Sequence, residues 1–316
     1  MPVGKIDVHF HLIPEFFRDA VRDSGPMLPT AAYPEWSPGL ALELMDSHEI
    51  AVAIASTVWP GAGFLPGGKA AVFARRCNDY AADLIARHPS RFGCFGLLPM
   101  HDMAAAVAEA QYCLETLGFE GIGLFASYGE RFLGDPFFDP LMSYLNAAKA
   151  VVHVHPSLHP SSKSLKLQWP GWLVEYVFDT TRAAVNLVFS GARARFQDIR
   201  FILSHAGGTL PYLALRLDLA PMIEASLQNI SRNDIRTGLK SFWYDTALAC
   251  GPQTMGALSR VAAKEQVLFG SDWPFCDDRV VAEEIGRLTA PDFLASDAVA
   301  MIAHDNATAL FPGRRS

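Results

Sequence analysis

The sequence predicts an α/β protein of the (β/α)₈ type, a TIM barrel, and two observations carry this prediction. Eight short runs rich in Val, Ile and Phe are spread along the chain, as expected of parallel strands covered on both faces. Longer amphipathic runs separate them, so each strand is followed by a helix, and right-handed crossovers would close the sheet into a barrel. A doubly wound open sheet is the alternative, but the GxGxxG turn usual after its first strand is missing.

The predicted strands and helices alternate from one end of the chain to the other. The strands are residues 6–11, 51–57, 92–98, 121–125, 151–155, 201–205, 242–247 and 267–272. The helices are residues 40–48, 70–88, 104–117, 140–150, 173–192, 211–227, 253–263, 283–288 and 298–311. Two long insertions follow strands on the side where barrel enzymes place their active sites: residues 25–38 and 157–171. Since no repeat or linker divides the chain, we expect residues 1–316 to form one domain.

Composition narrows the class of function. The 316 residues include 19% charged side chains, and the net charge of −7 at pH 7 is spread along the chain. A nucleic-acid groove would need a basic stripe, so nucleic acid is not an expected partner. No apolar run reaches membrane-spanning length, the first residues show no secretory signal, and the five cysteines include no CxxC pair. We therefore expect a cytoplasmic protein with reduced thiols and no membrane association.

Histidines and one aspartate stand at the ends of predicted strands. His9 and His11 are two residues apart on the first strand, so both project from the same face, an arrangement that suits zinc, iron or manganese. Alone this pair is weak evidence, but His155 ends the fifth strand, His205 the sixth and Asp272 the eighth. The carboxyl ends of barrel strands meet at one mouth, and burying so many unpaired imidazoles would be costly. The sequence therefore predicts a metal site at this mouth.

Four motifs at these strand ends carry a resemblance to a known family. They are His-Phe-His at 9–11, His-Pro at 155–156, His-Ala-Gly-Gly at 205–208 and Gly-Ser-Asp-Trp-Pro-Phe at 270–275. Together they resemble the amidohydrolase superfamily. More narrowly, they resemble its amidohydrolase-related decarboxylase branch, which includes 2-amino-3-carboxymuconate-6-semialdehyde decarboxylase, γ-resorcylate decarboxylase and 6-methylsalicylate decarboxylase. The resemblance runs along almost the whole chain, including residues 178–182 and 305–307.

The resemblance implies a role for each of these positions. It implies that one divalent metal ion per chain, zinc first and manganese as the alternative, is bound by His9, His11, His155 and Asp272. It also implies that His205 stands beside the metal as a catalytic acid/base or polarising group, and that Asp272 is catalytic as well as a ligand. Superfamily members with two metals carry a bridging carboxylated lysine at the end of strand four. Residues 121–127 contain no lysine, glutamate or cysteine, so we predict one metal.

A second set of residues is expected around this centre. Arg216 lies eleven residues after His205, where resembling decarboxylases carry an arginine that binds the substrate carboxylate, sometimes across a subunit interface. We predict that Arg216 binds substrate, with a surface ion pair to Asp218 or Glu224 as the open alternative, and we expect a homodimer.

Supporting side chains are predicted from their places on the strands. His153 is expected either to be a hydrogen-bonded histidine of the barrel interior or to support the metal ligands, and Asp245 is expected to line the pocket or hold a neighbouring loop. Four aromatic residues are candidates for a wall of the pocket, with burial in the core as the alternative: Trp169, Trp172, Trp273 and Phe275.

A metal next to a histidine and an aspartate supports two reactions. In a mononuclear hydrolase, the metal lowers the pKa of a bound water, and the resulting hydroxide attacks a lactone, ester or amide carbonyl. In a decarboxylase, the metal holds the substrate's carboxylate and neighbouring hydroxyl while Asp272 protonates the ring carbon that loses CO₂. Ligand geometry alone does not separate these reactions. The resemblance of residues 179–182 to salicylate-type decarboxylases favours non-oxidative decarboxylation of a small hydroxybenzoate or related unsaturated carboxylic acid, with the hydrolase as the alternative.

Overall fold

Eight parallel strands, one for each predicted run, form the central sheet. The structure is a computed structural model that describes residues 4–25, 32–166, 168–290 and 294–313. Each strand pairs with the next in chain order: β1 (Lys5–Leu12), β2 (Ile50–Thr57), β3 (Phe92–Leu97), β4 (Gly121–Phe125), β5 (Val151–His155), β6 (Arg200–Leu203), β7 (Trp243–Asp245) and β8 (Val267–Leu268). The backbone nitrogen of Val8 donates to Phe269 O over 2.9 Å, and that of Asp272 to His9 O over 2.8 Å. These bonds join the residues after β8 to β1, and the predicted (β/α)₈ barrel is confirmed.

Helices cover the outside of the sheet. They are α1 (Glu15–Ser24), α2 (Pro38–Ser47), α3 (Gly68–Arg87), α4 (Met103–Gln111), α5 (Asp139–Ala147), α6 (Glu175–Phe189), α7 (Ala192–Arg195), α8 (Leu210–Ile223), α9 (Arg232–Lys240), α10 (Pro252–Leu258), α11 (Asp278–Leu288), α12 (Ser296–Ala300) and α13 (Asn306–Leu310). An antiparallel hairpin, Ser127–Tyr128 with Arg131–Phe132, follows β4. Within the described residues, no helix combines the length and apolarity needed to cross a bilayer.

Helices α1, α7 and α9 and the hairpin were not predicted; the predicted helix 173–192 reaches only the first residue of α7. In α9 the apolar surface is reduced to Ile235 and Leu239, which are buried on an otherwise polar helix, so its periodicity is weak. Its start carries a usable signal, since the Ser231 side chain accepts from the backbone nitrogen of Asp234 as an N-cap. Parts of the first insertion (residues 26–31) lie outside the described residues, and the second insertion contains the short helical turns Pro160–Leu165 and Gly171–Leu173.

A β-bulge in β1 sets which side chains enter the barrel. Asp7 lies opposite Ala53 and Phe10 opposite Ala55, so β1 has one extra residue between these pairs. As a result Val8 packs in the inner apolar cluster, Phe10 packs in the outer layer against the helices, and His9 faces the mouth. The Asp7 carboxylate accepts from the backbone nitrogens of His9 (3.0 Å) and Ser271 (3.2 Å), so this residue ties the bulge to the segment after β8.

The amino-terminal end of the barrel is closed by the chain's own C-terminal helix. The inner apolar cluster contains Ile6, Ile54 and Phe95 from the strands together with Leu310 and Phe311 at the end of α13. The rings of Phe95 and Phe311 lie 6.1 Å apart. This packing leaves the carboxyl ends of the strands as the end of the barrel that carries polar side chains.

Candidate metal centre and its cavity

The four predicted ligands come together at the carboxyl ends of the strands. Each of them offers one nitrogen or oxygen atom, and these atoms lie within 4.8 Å of one another: His9, His11, His155 and Asp272. The Nε2 atom of His11 lies 3.0 Å from Asp272 Oδ1, and the Nε2 atom of His9 lies 3.3 Å from the same oxygen. All four residues are buried.

The other ring nitrogen of each histidine ligand, Nδ1, contacts a group outside the ligand set. His9 Nδ1 donates to Asp245 Oδ2 over 2.9 Å, and His155 Nδ1 donates to Pro156 O over 2.8 Å. His11 Nδ1 lies 3.2 Å from Ser56 Oγ. These contacts orient the rings so that Nε2 faces the centre, as in metal sites whose histidines are held by outer partners. The Nε2 atom of His9 is buried without a hydrogen-bond partner among the described residues, and the three-nitrogen, one-oxygen set fits zinc, manganese or iron.

Buried carboxylates make the centre favourable for positive charge. Burial disfavours a charged His9 ring, but the carboxylates of Asp245 and Asp272 outweigh that effect and raise the pKa of His9 to about 10. Burial by itself would raise the pKa of Asp272, yet the surrounding imidazoles of His9, His11 and His205 hold it well below its usual range. In contrast, burial lowers the pKa of His11 and lowers that of His155 well below its usual range, so both rings are neutral and ready to act as ligands.

His205 lies beside this group rather than within it. Its Nε2 atom is 3.3 Å from Asp272 Oδ2, the carboxylate oxygen that does not face His11. Its backbone nitrogen donates to Asp245 Oδ1 over 2.9 Å. His205 has a φ of 55° and Asp272 a φ of 58°, left-handed conformations that are costly for residues other than glycine and that concentrate at functional sites. This geometry places an acid/base group within reach of the free side of Asp272.

Asp245 connects the ligands to His205, a role that the sequence left open between lining the pocket and holding a loop. Its carboxylate contacts His9 and His153 on one oxygen, and it accepts from the backbone nitrogens of His205 and Ala247 on the other. The only sequence signal for this role was its place at a strand end. His153 lies inside the barrel as predicted, with Nε2 3.2 Å from Asp245 Oδ2 and its ring stacked on Phe95.

A cavity of about 520 Å³ opens above the centre. Its walls are mostly apolar and aromatic, and its polar members are few: Tyr33, His155, Tyr176, His205, Thr254 and Asp272. Of the predicted aromatic wall, Trp172 and Phe275 line the cavity, whereas Trp169 is half exposed elsewhere and Trp273 is buried against Phe10. The sequence did not single out the aromatic wall residues Tyr33, Trp59 and Tyr176, because they come from three separate loops and helices.

Arg216 does not reach the cavity of its own chain. It lies on α8 with an exposed side chain, and it is not among the described residues that line the cavity. Neither alternative ion pair of Arg216, with Asp218 or with Glu224, is formed among the described residues. The Asp218 carboxylate is held by Arg232 and by Arg236, whose Nε lies 2.8 Å away, and Glu224 Oε1 accepts from Ser226.

The chain is similar in sequence to a known family and to several known proteins. The family model described as amidohydrolase matches residues 6–313. The decarboxylase yanB of Aspergillus niger is 36% identical, with 98% of this chain and 88% of that protein covered. The 6-methylsalicylic acid decarboxylase of Penicillium expansum is 37% identical, with 86% and 85% covered.

A solved structure supports the fold. The dihydroxybenzoic acid decarboxylase of Polaromonas sp. JS666, solved with bound manganese and the inhibitor 2-nitroresorcinol, superposes with a TM-score of 0.84 at 24% identity, covering 99% of this chain and 98% of that one. The family model spans nearly the whole chain, and two relatives exceed one third identity over most of it. The chain therefore belongs to the amidohydrolase family, as its four strand-end motifs predicted.

Proposed function

We propose that this protein is a metal-dependent, non-oxidative decarboxylase of a small hydroxybenzoate, with 6-methylsalicylate the first candidate. The observation that carries the proposal is the apolar, aromatic cavity that ends at the ligand group and His205, because it fits one aromatic ring whose charged end reaches the centre. The relatives at 36% and 37% identity are both named decarboxylases, which supports decarboxylation over the hydrolase alternative.

The chain's own residues provide binding, water exclusion and proton transfer. When bound, the metal would supply a Lewis acid for the substrate's carboxylate and neighbouring hydroxyl. The walls around Trp59, Trp172 and Phe275 hold the ring and exclude water. His205 Nε2 and Asp272 Oδ2, 3.3 Å apart, form the path along which a proton reaches the ring carbon bearing the carboxylate. That carbon gains the proton, its bond to the carboxylate breaks, CO₂ leaves, and the bonding electrons restore the aromatic ring.

We propose one divalent metal ion per chain, zinc first and manganese as the alternative. The three imidazoles and one carboxylate suit both ions, and the Polaromonas structure contains manganese. Metal analysis of purified protein is expected to give one equivalent per chain. Two equivalents would contradict the single site.

We propose that the protein forms a homodimer in the cytoplasm and that α8 lies in the interface. Tyr212 and Ile223 on α8 are 84% and 81% exposed, and Leu215 and Met222 are exposed as well, an apolar surface that a partner chain would cover. The same helix carries Arg216, so a dimer built on this surface would bring this arginine toward a neighbouring molecule. The five cysteines are buried and none of them forms a disulfide, which fits a reducing compartment.

The dimer and Arg216 are tested together. Leu215→Glu should shift the mass in solution from dimer to monomer. Arg216→Gln should keep the dimer and raise KM for a carboxylated substrate, with kcat changed less. A monomeric wild-type protein would overturn the dimer, and an unchanged KM would remove Arg216 from substrate binding.

CO₂ release from a panel of hydroxybenzoates tests the reaction itself. Metal-loaded protein should release CO₂ from at least one member of the panel and leave lactones and simple amides intact. His205→Ala should retain the metal and lose at least about a hundredfold in kcat, as expected for loss of a general acid/base. Asp272→Asn should lose both metal and turnover. Lactone cleavage without CO₂ release would move the enzyme to the hydrolases.

A further inference from the structure

The cavity offers few groups that can meet a carboxylate anion. Among the described residues that line it, none is a lysine or arginine, and the walls are largely apolar. A carboxylate that enters such a site loses its hydration and must recover that free energy from a cation or from hydrogen-bond donors. The donors that the chain places in the cavity therefore decide how a carboxylated substrate is held.

Tyr176 is a donor of this kind. It lies in the first turn of α6 and lines the cavity, with its ring edge-on to the ligand His155 at a centroid distance of 5.8 Å. Its hydroxyl makes no hydrogen bond with any described residue. The other tyrosine of the cavity, Tyr33, differs in this respect, because its hydroxyl donates to Trp59 O over 2.6 Å.

We infer that Tyr176 is a substrate-binding residue whose hydroxyl donates a hydrogen bond to a carboxylate oxygen of the substrate. This inference rests on the proposed function and adds a recognition group to it. A tyrosine phenol carries one O–H group that can donate a hydrogen bond at neutral pH. A neutral donor compensates the anion without adding a charge beside the metal centre.

The start of α6 is held in place before substrate binds. Asp179, one turn after Tyr176, accepts from the backbone nitrogen of Ser157 over 2.8 Å and from the Ser127 hydroxyl over 3.0 Å. Ser157 follows β5 and Ser127 belongs to the hairpin after β4, so this buried carboxylate fastens α6 to two neighbouring strand ends. Ordering the helix in advance reduces the entropy lost when Tyr176 binds a ligand.

The test compares Tyr176→Phe with the matched variant Tyr33→Phe. Each change removes one hydroxyl from the cavity and keeps the ring. The Tyr33 hydroxyl is bonded to Trp59 O, whereas the Tyr176 hydroxyl has no hydrogen-bond partner in the described part of the chain. Benzoate and phenol serve as probes in metal-loaded protein, with binding followed by the fluorescence of Trp59 and Trp172 in the cavity wall. These probes separate the carboxylate from the hydroxyl and need no turnover.

Tyr176→Phe should raise the Kd of benzoate by about 10- to 100-fold, as expected for the loss of one hydrogen bond to a charged group. The Kd of phenol should stay within about twofold, as should both values in Tyr33→Phe, and metal content should be equal in all three proteins. An unchanged Kd for benzoate in Tyr176→Phe, an equal loss for benzoate and phenol, or no binding of benzoate to the wild type would each overturn the inference. CO₂ release by the wild type is measured separately, so failure of the decarboxylase proposal and failure of the Tyr176 contact are distinguishable.

Discussion

Single side chains outside the ligand set control the geometry of the centre. Asp245 is buried and contacts His9, His153 and the backbone of His205, so one carboxylate orients a ligand, a supporting ring and the proposed acid/base. Its imidazole neighbours outweigh the effect of burial and lower its pKa, so it remains ionised. A fixed negative charge beside Nδ1 of His9 makes Nε2 of that ring more basic, and therefore a stronger ligand for a cation.

Asp245→Asn should weaken metal binding by about 10- to 100-fold, the range found when outer-shell partners of metal ligands are removed. The asparagine amide is neutral and cannot supply the negative charge beside His9. Its NH₂ group would also face groups that are themselves hydrogen-bond donors. Competition with a chromophoric chelator measures the change. Asp218→Asn is the control, because it removes a carboxylate paired with Arg232 and Arg236 on the outer helices and should leave metal affinity unchanged. Equal affinities in the two variants would contradict the role given to Asp245.

Metal binding should release protons in a pH-dependent way. The pKa of His9 is raised from its ordinary value of 6.5 to about 10, so between these values the metal-free folded protein holds a proton that the unfolded chain does not. That proton stabilises the metal-free fold, fully below pH 6.5, and the stabilisation is lost as the pH rises through about 10. A cation must displace the proton, so calorimetry at pH 8 in buffers of different ionisation enthalpy should show about one proton released per metal. Release near zero at pH 8 would mean that His9 is already neutral.

At the scale of elements, residues with a left-handed backbone conformation follow three of the strands and line the site. His205, Leu248 and Asp272 follow β6, β7 and β8, and each has a φ between 51° and 58°. All three line the cavity, and such backbone conformations cost of order 1–3 kcal/mol each. The left-handed conformation of His205 also explains why β6 ends before the last residue of the predicted run 201–205, since a left-handed residue cannot continue a strand.

Lys149 has the same left-handed backbone conformation but lies away from the cavity. The stability cost of this conformation can therefore be measured there without affecting the site. Its φ is 49°, its side chain is exposed, and it lies between α5 and β5, at the amino ends of the strands. Lys149→Gly should stabilise the protein by about 0.5–1 kcal/mol in urea unfolding, because relief of the strain exceeds the added entropy of the unfolded chain. Turnover should be unchanged. Lys149→Ala retains the strain, so equal stability of the Gly and Ala variants would argue against this account.

At the scale of the whole molecule, the barrel and its helices bury all five cysteines. Burial raises the pKa of Cys250 to about 12 and raises that of Cys77, Cys113 and Cys276 as well. Because the thiolate is the reactive form, these groups should be inert at neutral pH despite the position of Cys276 in the cavity wall.

Thiol titration checks this packing. The native protein at pH 8 should show no rapidly reacting thiol with Ellman's reagent, whereas the protein in guanidinium chloride should show five. One fast thiol in the native protein that benzoate protects would instead identify Cys276 as accessible through the cavity.

The sequence by itself determined the strand count, the (β/α)₈ class, the family and the four side chains that converge at the mouth. These features depend on local periodicity and on motifs within a few residues, such as His-Phe-His in β1. What only the tertiary structure decided depends on segments that are distant in the chain. The contact between His9 and Asp245 joins residues 236 positions apart, and the cavity wall brings Tyr33, Trp59 and Tyr176 together from separate elements. No local pattern encodes such meetings, because they follow from closing the barrel and from the register that the bulge in β1 imposes.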